Sequence, residues 1–467
     1  MEFIMDTRIE RFLKECGGKN ICFIGIGVSN TDAMLLFARY GAKVTACDKK
    51  ERVELGGTAD LLEQAGITLK LGENYLSGLD AFDVVFRTPG MKYHTPELDD
   101  ARENGVAVTS ELEVFFDLCP CPIFAVTGSD GKTTTTTIIS ELFKRQGKRV
   151  FLGGNIGLPL LSRITEIEPE DVAVVELSSF QLISMRTSPH VAVVTNVTPN
   201  HLDMHTDMQE YVDAKKNIFL HQNGFTRTVL NIDNDITRSF IPETRGDTLM
   251  FSRKRTVKRG AFLGDDGFLC MADDKGVHKL FPAQAIRIPG GHNIENYLAA
   301  IAATWGYISP ENIEYVATTF TGVEHRIEFV RELDGVRWYN DSIATTPSRT
   351  IAGLNAFDQK VILIAGGYDK KVPFTPLAPY IIEKVKLLIL LGTTAGAIKD
   401  CVVNCDGYEP GRPDIVMTTS LEEAVKVAKE HAVQGDIVTL SPACASFDMF
   451  KNYETRGEIF KEFIHEL

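Results

Sequence analysis

Short apolar runs alternate with helical patterns along the opening third of the chain. The strand-like runs are residues 21–24, 42–47 and 83–86, and a helical pattern covers residues 32–39. This order is typical of βαβ units with parallel strands. The proline-containing stretch 119–122 interrupts the order, so we expect a domain boundary between Thr109 and Pro122.

Similar apolar runs continue through the rest of the chain. They are residues 123–127, 172–176, 191–195, 228–231, 361–365, 387–391 and 436–440. Ligands of open parallel sheets bind beyond the carboxyl ends of such strands. The polar, glycine-rich stretch 253–276 predicts a hairpin or an excursion to which no chemistry can be assigned. We therefore expect an α/β protein of three domains, at residues 1–110, 111–322 and 323–467.

The composition narrows the classes of function. The chain has 467 residues and a formal charge of 49 − 63 = −14, which argues against binding of nucleic acid through a basic surface. No apolar run approaches the roughly 18–20 residues of a bilayer span, and the N-terminal stretch lacks the apolar core of a signal peptide. We expect a cytoplasmic protein that contacts neither nucleic acid nor membrane. The nine cysteines lack zinc-ribbon spacing, so we expect no metal or disulfide role for them.

A partial dinucleotide fingerprint follows the first strand. Gly25 and Gly27 lie between that strand and a helical pattern, and Asp48 closes the next strand about twenty residues later. Asn30 stands where the fingerprint would have its third glycine, which weakens the match. Two interpretations stay open here: a plain tight turn, or a contact between a nucleotide phosphate and the helix N-terminus.

A stronger phosphate-binding motif lies between the strand 123–127 and the helix that follows it. The motif is Gly128, Ser129, Asp130, Gly131, Lys132, Thr133 and Thr134. Backbone N–H groups of this turn would cradle phosphates, Lys132 would neutralise the β and γ groups, and the Thr133 hydroxyl would face Mg²⁺. The full P-loop spacing would place a glycine at Val126, so this is a variant of it. We expect this loop to bind a nucleoside triphosphate.

Two further strand ends carry residue types that can bind metals, although a surface glutamate and a capped turn are the alternatives. Glu176 ends the run 172–176, at the place where an acid on a second strand holds the metal in P-loop enzymes. His201, Asp203 and His205 follow the next strand at alternate positions. Neutral histidines could bind a transition metal, but in a phosphate site we expect oxygen-ligated Mg²⁺, with His201 as a ligand or as a group that orients one.

Together these motifs resemble the ATP-dependent Mur ligases, which build the peptide stem of bacterial peptidoglycan. The resemblance covers essentially the whole chain, and its motifs are TGSDGKTTT from Thr127, GGNIG from Gly153, ELSSFQL from Glu176, NVTPNHLD from Asn196, HNIEN from His292 and HRIE from His325. It implies a Rossmann-like N-terminal domain that binds a UDP-sugar. It also implies a central P-loop ATPase-type domain with a parallel sheet, and a Rossmann-like C-terminal domain that binds an amino acid.

The resemblance also implies roles for individual residues. The implied contacts of the UDP-substrate are Val28, Ser29, Asp48, Thr88, Gly90 and Asn155, and those of ATP, besides the phosphate loop, are Asn293, Asn296, Arg326 and Asp341. The implied Mg²⁺ ligands are Thr133, Glu176, His201 and Lys215, with Lys215 carbamylated, and the implied catalytic residues are Lys132, His201 and Lys215. Spacing alone does not choose between Lys215 and the adjacent Lys216.

The C-terminal motifs resemble those of one group of Mur ligases. They are NDSIATTP from Asn340, GGYDKK from Gly366 and SPACASFDMFKNYETRG from Ser441. The resemblance is to the members that add D-glutamate to UDP-N-acetylmuramoyl-L-alanine, and it implies ATP and Mg²⁺ as cofactors. In these members the alanine carboxylate attacks ATP to give an acyl phosphate, and the amine of D-glutamate then displaces phosphate. We expect the chain to act on these small molecules as a monomer.

The resemblance implies an amino-acid site as well, with one departure from the family pattern. The matching positions are Thr345, Lys370, Ser446 and Tyr453. Ile343 stands where many relatives have a lysine, and a dicarboxylate substrate needs charged partners. Arg349 is expected to supply the missing cation, because Thr346 and Pro347 predict a helix start that puts Arg349 in its first turn. Lys371 is the alternative.

Other functions remain to be tested against this expectation. One is the activity of another Mur-type amino acid ligase. An NAD-dependent oxidoreductase with an accessory nucleotide-binding domain would take the Gly25 motif at face value, and a nucleotide-switch binding protein would hydrolyse nucleotide slowly. Neither of these last two explains three α/β units with Asp341 and Lys370 in the last of them.

Overall fold

The structure is a computed structural model that describes residues 7–199, 205–369 and 372–467. The chain forms two compact units. The first unit comprises Met1–Ala283 and Glu295–Val316, and the second comprises Gln284–Ile294 and Ala317–Leu467. Three sheets run through the described residues, of five, nine and six strands in chain order.

The first unit opens with a five-stranded parallel sheet. Its strands are β1 (Asn20–Ile24), β2 (Lys43–Asp48), β3 (Thr68–Leu71), β4 (Val84–Phe86) and β5 (Ala107–Thr109). The helices in this stretch are α1 (Thr7–Glu15), α2 (Val28–Arg39), α3 (Arg52–Leu55), α4 (Gly57–Gln64) and α5 (Pro96–Glu103). The strand order β3-β2-β1-β4-β5 reverses between β1 and β4. The loops after these two strands therefore meet at the crevice where doubly wound sheets bind ligands.

A nine-stranded sheet follows in the first unit. Its strands are β6 (Ile123–Thr127), β7 (Val150–Gly154), β8 (Val172–Glu176), β9 (Val191–Val194), β10 (Arg227–Asn231), β11 (Asp247–Ser252), β12 (Gly260–Leu263), β13 (Phe268–Asp273) and β14 (Gly276–Pro282). The helices from this stretch onward are α6 (Glu111–Leu118), α7 (Lys132–Arg145), α8 (Ser179–Leu182), α9 (Met208–Leu220), α10 (Asp235–Ser239), α11 (Gly291–Thr304) and α12 (Pro310–Thr319). The strand order is β14-β13-β12-β11-β10-β9-β6-β8-β7, which puts β6 between β8 and β9.

The stretch 253–276 forms an extension of this sheet. The strands from β12 to β7 are parallel, whereas β13 and β14 run antiparallel to their neighbours. The predicted hairpin is therefore confirmed. Its three arginines are engaged in ion pairs: Arg253 with Glu295, Arg255 with Asp233, and Arg259 with Asp247 and Asp274.

The second unit is built around a six-stranded sheet. Its strands are β15 (Glu328–Leu333), β16 (Val336–Asn340), β17 (Val361–Ala365), β18 (Val385–Leu390), β19 (Asp414–Met417) and β20 (Ile437–Leu440). Its helices are α13 (Pro347–Leu354), α14 (Ala378–Lys384), α15 (Ala395–Val403), α16 (Leu421–His431) and α17 (Tyr453–Glu466). The order is β15-β16-β20-β17-β18-β19, and β15 pairs antiparallel with β16 while the other pairs are parallel.

The central strands explain why these sheets form. All residues of β6, β8, β9 and β17 are buried, and most of them are Val, Ile or Ala. Such continuous apolar runs are typical of parallel strands that are covered on both faces by helices. The three sheets follow one another in the order of the three predicted domains, whose boundaries stay a prediction. Within the described part of the chain, no helix combines the length and the apolar character needed to cross a membrane.

Candidate active site

The predicted phosphate loop joins β6 to α7 and is tied to the end of β9. Ser129 N donates to Asn196 O (2.9 Å), and Asp130 N donates to the side-chain Oδ1 of Asn196 (2.9 Å). Thr195 Oγ1 donates to Asp130 O (2.5 Å). Lys132 opens α7, and its Nζ donates to Ser129 O at 2.9 Å. The neighbouring strand end therefore fixes the loop, and the Lys132 ammonium group lies against its backbone.

Two glycines of this loop have no room for a side chain. Gly128 has a φ of +151°, and a Cβ there would lie 1.9 Å from Thr195 Oγ1. Gly131 has a φ of +77°, and a Cβ there would lie 2.4 Å from Asn296 Oδ1, which also accepts a hydrogen bond from Thr135 Oγ1 (3.2 Å). Asn296, a predicted ATP residue, thus lies against the loop. Only glycine allows the backbone to lie this close to neighbouring atoms, and loops that cradle phosphates need such close approach of the backbone.

The first turn of α7 adds to the attraction for anions. Lys132, Thr133 and Thr134 form this turn of a 14-residue helix. The N–H groups at the start of a helix lack intrahelical partners, and the helix dipole favours negative charge there. The structure therefore places these three residues where a triphosphate would be bound, and their individual roles stay a prediction.

Lys215 lies buried beside the phosphate loop. It is 1% exposed, and its Nζ donates to Gly128 O (2.8 Å) and lies 3.5 Å from Thr127 Oγ1. The ring of Tyr211, one turn earlier on α9, lies 4.6 Å from the same Nζ. Burial lowers the pKa of Lys215 well below its ordinary value, and repulsion by Lys132 lowers it further. The side chain of Lys215 therefore loses its proton more readily than that of an exposed lysine.

The adjacent Lys216 belongs to a different environment. Its Nζ pairs with Glu243 at 2.6 Å and lies 3.9 Å from Asp213. Neither carboxylate belongs to the phosphate loop. Lys215 therefore contacts the phosphate loop, whereas Lys216 pairs with carboxylates outside it. The contacts favour Lys215 over Lys216, and its role stays a prediction.

Glu176 presents a carboxylate oxygen at the end of β8, the strand next to β6. The residue is 1% exposed, and its Oε1 accepts a hydrogen bond from Asn155 Nδ2 (2.7 Å). Its buried Oε2 has no hydrogen-bond partner among the described residues. Buried carboxylate oxygens rarely go without a partner, and hard oxygens are the ligands that Mg²⁺ prefers. Since the charge of Glu176 also acts on Lys215, the residues present fit a bound cation.

Five of the six predicted UDP residues lie around the point where the first sheet reverses, whereas Asn155 follows β7 of the second sheet. Asp48, at the end of β2, accepts hydrogen bonds from two backbone N–H groups of nearby loops (2.7 and 2.9 Å). A Cβ at Gly25, whose φ is +91°, would lie 3.1 Å from the Cβ of Thr88, so the loops after β1 and β4 are in contact. Gly90 is exposed in the second of these loops. Val28 and Ser29 begin α2.

Asn30 shows why the dinucleotide fingerprint is incomplete. The residue is 4% exposed, and its Nδ2 donates to Ile24 O and to Gly25 O, both at 3.0 Å. A side-chain amide therefore closes the loop at the position where the fingerprint has a glycine. A glycine would let the helix approach the strand because it has no side chain. Here the Asn30 side chain joins helix and strand by hydrogen bonds instead.

Asp341 is the buried acid of the second unit. It follows β16, its Oδ2 accepts from Ser441 Oγ (2.7 Å), and its Oδ1 accepts from the backbone N of Ile327 (3.2 Å). Burial raises the pKa of Asp341 to about 7, against the opposing effects of the Ser441 hydrogen bond and the Arg326 and Arg349 charges. Asp341 therefore titrates near neutral pH, unlike an exposed aspartate.

The raised pKa predicts a dependence of stability on pH. The folded protein keeps the Asp341 proton up to about pH 7, whereas the unfolded chain loses it near the model-peptide value of 3.8. The unfolded state thus binds fewer protons between these values, so the free energy of unfolding should fall as the pH rises through this window. Asp341→Asn, which cannot titrate, should lose less thermal stability than the wild type between about pH 5 and about pH 8. Thermal unfolding without nucleotide measures this, and parallel curves for the two proteins would contradict it.

A buried arginine organises the predicted amino-acid site. Arg456 is 3% exposed and donates to Ser342 O (2.8 Å), Ser342 Oγ (2.9 Å), Cys444 O (3.1 Å) and Ala445 O (3.2 Å). The Ser342 hydroxyl in turn donates to Tyr453 O (2.8 Å). Arg456 therefore joins the loops after β16 and β20 to the start of α17. It lies within the motif that begins at Ser441, although nothing in its local spacing distinguishes it from the other residues of that motif.

Arg349 lies where the helix pattern predicted it. α13 begins at Pro347 after Thr346, so Arg349 is in the first turn, although the Thr346 side chain contacts Ser348 Oγ (3.2 Å) and does not cap the helix. Arg349 is exposed, and its Nη1 donates to Ile343 O (3.2 Å). Its charge thus lies beside the residue that replaces the family lysine.

The remaining predicted residues fall into two groups. Asn293 and Ser446 are buried and Thr345 is half-buried, and Asn293 Nδ2 donates to Pro289 O (2.5 Å). His201, Asp203, Lys370 and Lys371 lie outside the described residues, so their roles stay predictions. Tyr211, whose hydroxyl lies 2.9 Å from Ser129 Oγ, was not singled out, although its spacing of four from Lys215 on one helix was visible.

Comparison with known proteins places this site in a family. The Mur ligase middle domain matches residues 126–304, and the Mur ligase glutamate ligase domain matches residues 325–444. A UDP-N-acetylmuramoylalanine--D-glutamate ligase of Acetivibrio thermocellus is 54% identical over 466 residues, which are 99% of this chain and 100% of that protein. The chain belongs to the Mur ligase family. The predicted family resemblance is therefore confirmed, and Mur ligases use ATP and Mg²⁺.

Two further comparisons agree with this assignment. A ligase of the same name from Clostridium botulinum strain Okra is 48% identical over 463 residues, which are 99% of this chain and 100% of that protein. The crystal structure of a UDP-N-acetylmuramate-alanine ligase from Thermotoga maritima is similar with a TM-score of 0.57 and 19% identity, over 96% of this chain and 99% of that one. The latter likeness concerns the fold alone, and it confirms the predicted α/β fold class.

Proposed function

We propose that this Mur ligase joins D-glutamate to UDP-N-acetylmuramoyl-L-alanine at the expense of ATP, in the cytoplasmic synthesis of peptidoglycan precursors. One observation carries the proposal. The phosphate loop, the buried Lys215 and the free Oε2 of Glu176 form a phosphoryl-transfer site, in a chain that is 54% identical along its length to a ligase with this activity in its name. The partners are small molecules, and the chain acts as a monomer without nucleic acid or membrane.

The residues of the first unit suit the activation of a carboxylate. Phosphoryl transfer needs positioning and charge neutralisation more than covalent help from the protein. The loop amides and Lys132 hold the ATP phosphates, while the alanine carboxylate of the UDP-substrate attacks the γ-phosphorus and ADP leaves. The amine of D-glutamate then attacks the acyl phosphate, phosphate leaves, and the amide bond is formed. Bound Mg²⁺ would neutralise phosphate oxygens during the first step.

The Mg²⁺ ligands are proposed from the geometry of Glu176 and Lys215 and from the family resemblance for the others. Glu176 would offer its unpartnered Oε2, and Thr133 and His201 would complete the set with a carbamate on Lys215. The lowered pKa of Lys215 favours its free-base form, which adds to carbon dioxide to give a carbamate and release a proton. A carbamate has the hard oxygens that Mg²⁺ prefers, whereas an ammonium group would repel the ion.

Arg349 should contribute to the binding of D-glutamate. Changing Arg349 to Ala removes a cation that lies beside Ile343 at the start of α13, so we expect the KM for D-glutamate to rise about tenfold, equivalent to about 1.4 kcal/mol. The KM for ATP should change little. Arg412→Ala, which removes an exposed arginine elsewhere in the same unit, is the matched control. An unchanged KM for D-glutamate would transfer the role to Lys371.

One experiment tests the proposed function as a whole. The protein is incubated with ATP, Mg²⁺, UDP-N-acetylmuramoyl-L-alanine and, in separate reactions, D-glutamate, L-alanine, L-lysine or diaminopimelate. Phosphate release and product mass are measured together. Product with D-glutamate alone supports the proposal, product with another amino acid assigns the chain to a different Mur ligase activity, and absence of any ligated product would overturn it.

A further inference from the structure

Arg87 is a buried arginine whose side chain donates hydrogen bonds to the loop after β4 and to the helix α8 that follows β8. It follows β4 directly and is 2% exposed. Its Nη1 donates to Thr88 O (3.2 Å) and Met91 O (2.9 Å), and its Nη2 donates to Phe180 O (2.9 Å). Burial lowers the pKa of Arg87, which means that holding its charge here costs free energy. A residue retained at such a cost is expected to have a task that a neutral side chain does not perform.

The three carbonyl groups belong to two segments of the chain that have different roles in the proposed reaction. Thr88 and Met91 flank Gly90 in the loop after β4, which also packs against Gly25 and carries the proposed UDP contacts. Phe180 lies in α8, four residues after Glu176. One guanidinium group therefore connects the loop that would hold the UDP-substrate to the segment that would hold the metal.

A cleft separates these two segments next to Arg87. It has a volume of about 90 Å³, with Met91, Lys92 and Tyr93 on one side and Phe180, Ile183 and His205 on the other. Side chains across a cleft do not interlock, so packing at the cleft itself sets the distance between its walls only loosely. The rigid fork of Arg87, with hydrogen bonds to both walls, can fix that distance.

A second arginine holds the same loop without reaching α8. Arg102 Nη2 donates to Tyr93 O (3.1 Å), its guanidinium lies 4.2 Å from the Tyr93 ring, and it pairs with Asp99 (2.7 Å). All of these partners belong to the stretch between β4 and β5. Arg102 is therefore a matched control, because its loss removes contacts to Tyr93 and Asp99 but leaves the hydrogen bonds of Arg87 to Thr88, Met91 and Phe180 intact.

We infer that Arg87 is a positioning residue that sets the UDP-substrate loop at a fixed distance from the Glu176 segment. It would thereby align the alanine carboxylate with the γ-phosphate of ATP. The inference rests on the proposed function and adds to it a residue that bonds to the protein backbone and not to a substrate. A misplacement of about 1 Å can cost an enzyme about a hundredfold in rate, so the alignment has a measurable consequence.

The test compares Arg87→Met, Arg87→Lys and Arg102→Met with the wild type. For Arg87→Met we expect the KM for the UDP-substrate to rise about tenfold and kcat to fall about tenfold or more, with the KM for ATP within about twofold. Water should also compete better with a misaligned carboxylate, so phosphate released per ligated product should rise from about one to about two or more. Arg87→Lys should be intermediate, and Arg102→Met should stay within about twofold of the wild type throughout.

Several outcomes would overturn the inference. An Arg87→Met protein with the wild-type KM and one phosphate per product would do so, and so would a parallel rise of all three KM values, which indicates general damage. If Arg87→Met does not fold by circular dichroism, Arg87→Lys decides, and wild-type constants for it count against the inference. If the wild type itself fails to ligate, the proposed function is wrong, and calorimetry with UDP alone decides: Arg87→Met must bind more weakly than Arg102→Met.

Discussion

A Lys132→Ala variant should fold normally and lose about a thousandfold or more in turnover. The ammonium group of Lys132 lies on the phosphate loop, 2.9 Å from Ser129 O, at the first position of α7. Its removal takes away the cation that, in the proposed reaction, would face the charge developing on the transferred phosphoryl group, where losses of about 10³-fold are typical. The fold should not suffer, because the change also removes a charge that repels the buried Lys215.

The measurement is the rate of phosphate release at saturating substrates, with circular dichroism as a check on folding. Lys144→Ala is the matched control, since Lys144 is an exposed lysine in the last turn of the same helix that pairs with Glu141 at 2.7 Å. The control should keep the wild-type rate. A folded Lys132→Ala protein with near-normal turnover would show that this loop does not bind the γ-phosphate.

Lys215→Ala should keep no more than about one hundredth of the wild-type activity, and small carboxylates should restore part of the lost activity. The substitution leaves a cavity beside Gly128 O, where formate or acetate can offer the oxygens of the proposed carbamate. Neither anion should help the wild type. Turnover is measured with and without each anion, in buffer purged of bicarbonate.

Lys216→Ala is the control for this experiment, because Lys216 is the neighbour on the same helix and pairs with Glu243. Its activity should be near the wild-type value and should not respond to formate. Full activity of Lys215→Ala in bicarbonate-free buffer would refute the carbamate. If no carboxylate restores activity, Lys215 is still essential, but the proposal that a carbamate on Lys215 acts through its two oxygens is refuted.

The sequence predicted the buried strands better than the sheet edges. The runs 123–127, 172–176 and 361–365 coincide with β6, β8 and β17, because strands buried on both faces must be apolar throughout. The edge strands β3 and β19 were not predicted. Their residues are half-buried or exposed, so polar and apolar positions mix and the pattern resembles that of a loop.

The residues of the candidate site also differ in how well the sequence predicts them. Residues in contiguous motifs, such as the phosphate loop and Glu176, could be found because local spacing encodes their place at a strand end. Arg87 and Arg456 could not be singled out, because their importance depends on carbonyl groups that are distant in sequence. The choice between Lys215 and Lys216 needed the structure for the same reason, since only tertiary contacts distinguish two adjacent lysines.

The position of Lys215 on α9 restricts how the length of this chain can vary in evolution. Tyr211 and Lys215 are four residues apart, so both lie on the helix face that contacts the phosphate loop. An inserted or deleted residue between them would turn Lys215 by about 100° around the helix axis and away from Gly128. The same change before Asp207, the residue that caps α9, would leave the face intact. Insertions and deletions in natural homologues should therefore be tolerated ahead of this helix and excluded within its central turns.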